Sequence, residues 1–376
     1  GGDGQGLLGI LHEIEDRAPL FFRAHSSSEW RTVGQRLGTA TAADARALWA
    51  PLRVVCEGLR AGLAKAVALQ SAEHEILRTA KVVFCTLAVS GRSALDGCLG
   101  ADLLIIDEAA QCVEPESLIA IAAAQAQSCV LVGDPKQLPA TVLSPTAASR
   151  GYSRSLMERL LQCGQQYTQL TTQYRMHPNI TQLPNSLFYC GALEDDLSVQ
   201  QGRRDCKWYR SVPCLGPLAF VNVGNGIELR TRDSYENAQE AHLLVMIVQH
   251  LLTKCQVQAH EIGVLTFYRA QVALLKTLLR SQLGSSAPVK VATVDGYQGS
   301  EKSVILLSFV RTEGAGFLGD FRRLNVALTR AKNALVMVGS ARLLQQQQQS
   351  ALGTMHMMLT ALGLIYEEQE LRRALL

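Results

Sequence analysis

At 376 residues, with 48% hydrophobic and 18% charged side chains, the chain is long enough for two or more domains that each bury a core. No uncharged apolar run reaches 18 residues, so the sequence predicts no helical membrane span. The formal charge of +3 divides unevenly: residues 1–150 carry 13 Lys/Arg against 16 Asp/Glu and the remainder 23 against 17, so only the second part leans basic, a balance that suits either a phosphate backbone or a solvated surface.

The chain opens on Gly1 with no signal-peptide pattern, as expected for part of a longer intracellular protein of the nucleus or cytoplasm. Its ten cysteines, Cys56 to Cys255, include no C-x-x-C pair and read as buried free thiols in a reducing compartment. Residues 1–80 read as a helical and irregular, stalk-like segment. Ser26-Ser27-Ser28 is a loop there, and an Ala/Leu-rich stretch from Ala42 to Leu77 is broken into two helices by Pro51. From Lys81 the pattern changes to short apolar runs separated by helical segments, which predicts a parallel α/β sheet. Buried strands are expected at Lys81–Thr86, Leu103–Ile106 and Cys129–Val132, with Pro115–Ala126 as a crossover helix.

A domain boundary is expected near Ser144-Pro145, giving units 81–148 and 149–344. The alternation then resumes, with strands at Leu218–Val223, Ile262–Phe267, Val289–Thr293, Val304–Phe309 and Ala334–Val338. One helix starts behind Asn237, with Glu240 three residues on. Residues 345–376 read as a helical tail beginning in a five-glutamine run.

The residues that can carry chemistry cluster at element ends. Asp107-Glu108 closes an apolar run, where one carboxylate can hold Mg²⁺ and its neighbour can polarise an attacking water. After the next strand, Gly133-Asp134-Pro135-Lys136-Gln137-Leu138-Pro139 forms a stiff polar loop in which Gln137 can read a γ-phosphate. In Gln173-Tyr174-Arg175-Met176-His177-Pro178, Arg175 can contact phosphate and Tyr174 can stack on a base, while His177 reads as structural. Gly296 and Gly299 flank Tyr297-Gln298 and let backbone approach a ligand; Thr293 and Ser300 can donate to phosphate or ribose oxygens, and Glu301 can take a ribose hydroxyl. Arg330 stands just before an apolar run, in a position to reach a ligand in a cleft.

Together these stretches resemble the superfamily 1B helicases, specifically the senataxin and nonsense-mediated-decay group. LLIIDEAAQCVEPES is similar to motif II, VLVGDPKQLPAT to motif III, LTTQYRMHP to motif IV, VATVDGYQGSEKSVILLSFVRT to motif V and RRLNVALTRAKNALVMVG to motif VI, in that order over roughly residues 80–340. KVVFCTLAVSG resembles the nucleic-acid-contacting segment before motif II. The resemblance implies an α/β fold of two RecA-like domains, the first truncated at its N-terminus, working as a 5′–3′ helicase on single-stranded RNA or DNA with ATP and Mg²⁺. By that similarity Asp107 holds Mg²⁺ and Glu108 is the base; Gln137, Arg175 and Arg330 sense the γ-phosphate. Asp134, Tyr174, Gly299 and Glu301 belong to the nucleotide site, and Thr86 and Thr293 face the nucleic-acid backbone. No G-x-x-x-x-G-K-[ST] loop precedes Asp107, so motif I is expected before residue 1, where flanking regions can also recruit protein partners. A non-catalytic nucleic-acid-binding scaffold is the other reading. A dinucleotide oxidoreductase is excluded, since no G-x-G-x-x-G opens a helix after a first strand.

Overall fold

The structure is a computed structural model that describes residues 71–92, 100–200, 206–284 and 289–375, with Gly58 and Gly62 standing alone before them. The chain divides into two compact units, Gly1–Gly100 and Ala101–Leu376. The Ser26–Ser28 loop and most of the helical stretch expected from Ala42 lie outside the described residues; 71–79 is helical.

In the first unit the strand expected at Lys81–Thr86 does not form. Phe84 is 93% exposed and Val82 66%, and no described strand pairs with them. An extended run without a ladder partner leaves its N–H and C=O groups to water and is not held as a strand. It leads instead into a short helix, Leu87–Ser90, whose N-cap is Thr86, the hydroxyl accepting from Val89 N at 3.4 Å.

The second unit opens with β1 (Leu103–Ile106), α1 (Glu114–Ala124) and β2 (Ser128–Leu131). The two strands are parallel, in register from Leu103↔Ser128 to Ile106↔Leu131, and α1 is the crossover. Pro115 in the first turn and the Glu116 carboxylate, which accepts from Val113 N, start the helix; Gln125 in the left-handed region ends it. These strands were expected to be buried, but Leu103, Ile105 and Val130 remain half-exposed: among the described residues their sheet has two strands, which cover only part of its own faces. Cys129 on β2 and Cys85 are exposed as well, whereas Cys112 and Cys214 are buried. None of the eight described cysteines is in a disulfide.

The larger sheet has six parallel strands: β3 (Leu218–Asn222), β4 (Ile262–Thr266), β5 (Lys290–Thr293), β6 (Lys302–Ser308), β7 (Ala331–Gly339) and β8 (Ile365–Glu367), in the order β8-β3-β7-β6-β4-β5. The stretch read as a helical tail supplies β8 at one edge. Successive residues of β6 feed opposite faces: Ile305 and Leu307 pack with Phe220, Phe309 and Met337, while Val304 and Leu306 pack with Val221, Val264 and Val336. A strand buried on both faces reads as a continuous apolar run, which is why β6 shows no polar alternation. On the first face lie α3 (Pro178–Phe188), α6 (Phe321–Leu328) and α7 (Ala351–Ala361), numbered after α2 (Leu156–Gln162). On the second lie α4 (Ala238–Thr253) and α5 (Arg269–Leu283).

Asn237 caps α4 by accepting from Glu240 N, as the spacing predicts. Glu240 itself is fully buried. Its carboxyl accepts from Ser308 Oγ at 2.6 Å and from Val310 N at 2.9 Å, and so fixes the turn leaving β6, where Val310 has φ 70°. A β-branched residue in that region is strained and persists only where its surroundings over-determine it. Burial pushes the Glu240 carboxyl up to about 8 despite these donors. Between its unfolded value near 4.5 and about 8, the folded state therefore binds the extra proton, and stability falls as pH rises through that window. Glu240→Gln should flatten the decline in thermal stability from pH 5 to pH 8, an effect on the order of a few kcal/mol. Equal pH dependence of Tm in both proteins would refute it.

Among the described residues no helix is long and apolar enough to cross a membrane, and no group of three or more His, Cys, Asp or Glu side chains is placed to hold a metal by itself.

Candidate active site

The β1–β2 ladder runs on into the acidic turn. Val132 N donates to Ile106 O at 2.9 Å, and Ala109 N donates to Val132 O at 2.8 Å. The loop after β2 thereby lies against the Asp107-Glu108 turn so closely that a Cβ on Gly133 would sit 2.9 Å from Ala110 N. Only glycine fits there without displacing backbone. Glu108 takes φ 53°, left-handed for a non-glycine residue. The turn is held by Gln111, whose N donates to Glu108 O and whose Nε2 donates to Glu108 Oε2 at 2.5 Å. Such strain costs roughly 1–3 kcal/mol and is retained where it serves a site. Glu108 keeps exposed surface, but partial desolvation raises its carboxyl above the ordinary value, with Asp107 adding to the effect and Arg330 opposing it. Asp107 is exposed and accepts from Glu108 N through Oδ1.

Gln137 and Arg330 meet directly: Arg330 Nη2 donates to Gln137 Oε1 at 3.3 Å. Arg330 is only 3% exposed, at the end of the turn between α6 and β7. Its other acceptors are Val326 O and Thr329 Oγ1, at 3.0 Å each. All three acceptors are neutral. Burial and the neighbouring Arg175 lower its pKa to about 10, so it is still a full cation at neutral pH, held without a carboxylate in ion-pair contact among the described residues. A buried cation in that condition is costly and favours an arriving anion.

Arg175 and Glu301 also come together, Arg175 Nε donating to Glu301 Oε2 at 2.5 Å while Arg175 Nη1 donates to Thr329 O. Lys332 binds the other oxygen of Glu301 at 2.6 Å, and this contact chiefly holds the carboxyl below the usual range, with Arg175 contributing. Both Glu301 oxygens are therefore engaged by cations. Tyr174 is 62% exposed beside Arg175. Gly299 has φ 72° with open space where a Cβ would stand, so it is the conformation, not crowding, that favours glycine. His177 is buried at the N-cap of α3, its Nδ1 accepting from Asn179 N, in keeping with a structural role.

Asp134 turns inward. Its Oδ2 accepts from Tyr189 Oη at 2.6 Å and from Gln137 Nε2 at 3.2 Å, so it orients the amide that meets Arg330. Asn325 on α6 donates to both Tyr189 Oη and Lys136 O, tying the Gln137 loop to the helix that leads to Arg330. Tyr189, Asn325 and Lys332 carry no motif spacing that singles them out in the sequence, although Asn325 lies five residues before Arg330.

Thr293 is apart from this cluster. Glu301, Arg330 and Lys332 flank or begin β6 and β7 at the amino edge of the sheet, whereas Thr293 is the last residue of β5, at the carboxyl edge, where its Oγ1 accepts from Gly296 N. Thr86 lies in the first unit.

Comparison with known proteins bears on this arrangement. Two models described as "AAA domain" match residues 53–145 and 152–342. The chain is 40% identical over 285 residues to the probable helicase MAGATAMA 3 of Arabidopsis thaliana, covering 73% of this chain and 34% of that protein. It is 39% identical to helicase sen1 of Schizosaccharomyces pombe, covering 72% and 16%. It is 38% identical to the regulator of nonsense transcripts 1 homolog of Neurospora crassa, covering 73% and 26%. The chain thus spans about a third or less of the length of these relatives.

Proposed function

This chain belongs to the superfamily 1B helicases of the senataxin and nonsense-mediated-decay group, and on that premise we propose that it carries the motif II–VI part of an ATP-driven 5′–3′ motor on single-stranded RNA or DNA, in the nucleus or cytoplasm. In this reading residues 81–148 belong to a first RecA-like domain and 149–344 to a second. The observation that carries the proposal is Arg330, a buried guanidinium that among the described residues is hydrogen-bonded only to neutral acceptors and is aligned by Gln137. A triphosphate would supply an anion in direct contact, which Arg330 does not have among the described residues.

The division of labour follows. Asp107, exposed at the carboxyl end of β1, would hold Mg²⁺, which neutralises phosphate charge when bound. Glu108, fixed in its strained turn and with its basicity raised by partial desolvation, takes a proton from the attacking water. Arg330 and Arg175 meet the charge that develops on the transferred phosphoryl group. Gln137 is braced by Asp134 and reports through Arg330 to α6 and β7. Tyr174 offers an exposed ring to the adenine, and Gly299 and Glu301 serve the same nucleotide site, Glu301 also anchoring Arg175. Thr86 and Thr293 contact the nucleic-acid backbone.

The test uses the full-length protein with ATP, single-stranded oligonucleotides and partial duplexes. The expected result is ATP hydrolysis stimulated by RNA or DNA and unwinding of duplexes with a 5′ overhang in preference to a 3′ overhang. Oligonucleotide binding without any turnover would assign a scaffold instead.

A further inference from the structure

Three adjacent strands of the large sheet, β6, β4 and β5, deliver their carboxyl-end loops to one place. The loop after β6 brings Phe317, the loop after β4 brings Tyr268, and the turn after β5 brings Asp295, two residues past Thr293. Phe317 is 51% exposed, yet it is not loosely held. The Tyr268 ring lies 5.6 Å from its centroid at an interplanar angle of 32°, and Tyr268 Oη accepts from Phe317 N at 3.3 Å. The Arg323 guanidinium sits 5.0 Å from the Phe317 ring centroid and is itself fastened to Asp295 at 3.1 Å and Asp320 at 2.8 Å.

The approach to Phe317 is equally fixed. Gly316 has φ 49°, and a Cβ there would collide with Arg311 and lie 2.7 Å from Tyr268 Oη. Arg311 in turn is bound by Glu228 at 3.0 Å and stacks 4.1 Å from the Tyr235 ring centroid. An aromatic ring ordered in advance and left half open costs little further entropy when a flat ligand covers it.

We infer that Phe317 is a stacking platform for a base of the single-stranded nucleic acid, set beside the backbone contact at Thr293. The inference rests on the function proposed above and adds a base contact to it. Its grounds are separate from the nucleotide cluster: the ring stands at the carboxyl edge of the sheet, where open α/β sheets receive ligands, and Arg323 joins it to the Thr293 turn in one rigid unit. Aromatic stacking tolerates any base, as a translocating protein requires.

The experiment titrates full-length protein into a single-stranded adenine oligonucleotide carrying 2-aminopurine and follows its fluorescence. Wild-type protein should bind with quenching. Phe317→Ala should weaken binding about 5- to 150-fold and lose the quench. Phe317→Trp should restore both, while Phe317→Leu, which keeps apolar bulk without a π-face, should not. Wild-type affinity and quenching in Phe317→Leu would overturn the stacking role and leave the proposed function standing. No binding by the wild-type protein to RNA or DNA oligonucleotides would overturn the proposed function itself.

Discussion

Arg330→Ala should lower kcat for ATP hydrolysis in the full-length protein by about three to five orders of magnitude, the range associated with an arginine that meets transferring phosphoryl charge. The structure sharpens this beyond a simple loss of activity. Arg330 is buried against neutral acceptors, with Arg175 close enough to make its charge more costly still. Deleting the side chain removes that desolvation penalty, while Val326 O and Thr329 Oγ1 each lose a single donor. Activity and stability should therefore part company, with turnover collapsing while Tm stays level or rises. Arg330→Lys should not rescue, because an ammonium is a point charge that cannot contact Gln137 and Val326 in the fork geometry of a guanidinium. Turnover within tenfold of wild type, or an inactive variant whose Tm has dropped by many degrees, would show that Arg330 braces the fold instead.

Arg330 is legible in the sequence because of where it stands. Motif residues at strand ends are legible because strands announce themselves: Leu103–Ile106 has the same bounds in sequence and structure, and Asp107 follows it at once. The same holds for Glu301 before β6 and Arg330 before β7, which the fold sets on one edge of the sheet. Beta strands flanked by charge were harder to bound. β6 begins at Lys302 and β7 at Ala331, two and three residues before their apolar runs, since ladder pairing of Lys302 with Ala331 does not require apolar side chains. β8 was missed because three residues after Gly363 show no periodicity, and its pairing with β3 comes from 145 residues away in sequence. Lys81–Thr86 reads as a strand from its apolar run, which cannot say whether a ladder partner exists.

The bracing residues escaped for a different reason. Tyr189 follows the end of α3 and Asn325 is inside α6; only folding brings Tyr189 Oη within 3 Å of both Asn325 and the loop residue Asp134. Helical and loop residues that act by holding another side chain leave no spacing of their own. Asp134, expected in the nucleotide site, also accepts from Gln137 and Tyr189, contacts that no spacing announces.

Glu108→Gln should lower kcat by about two to four orders of magnitude while ATP binding persists or tightens, because the base is removed and the shape is kept. Glutamine can hold the left-handed turn through the same backbone bond from Gln111 N to the residue 108 carbonyl, and it relieves the repulsion from Asp107 that helps raise the carboxyl. The wild-type pH profile supplies an independent check with a definite sign. A base must be deprotonated to accept a proton, and this carboxyl titrates above its ordinary value, chiefly through partial desolvation. Hydrolysis should therefore decline as pH falls, with a midpoint higher than that of a free glutamate, and the residual turnover of Glu108→Gln should lack that limb. Asp107→Asn separates the two acids: it should weaken the Mg²⁺ dependence of hydrolysis while an acidic limb persists, since Glu108 is retained. A Glu108→Gln variant with near-normal kcat, or one whose acidic limb matches the wild type, would transfer the role of base to another group.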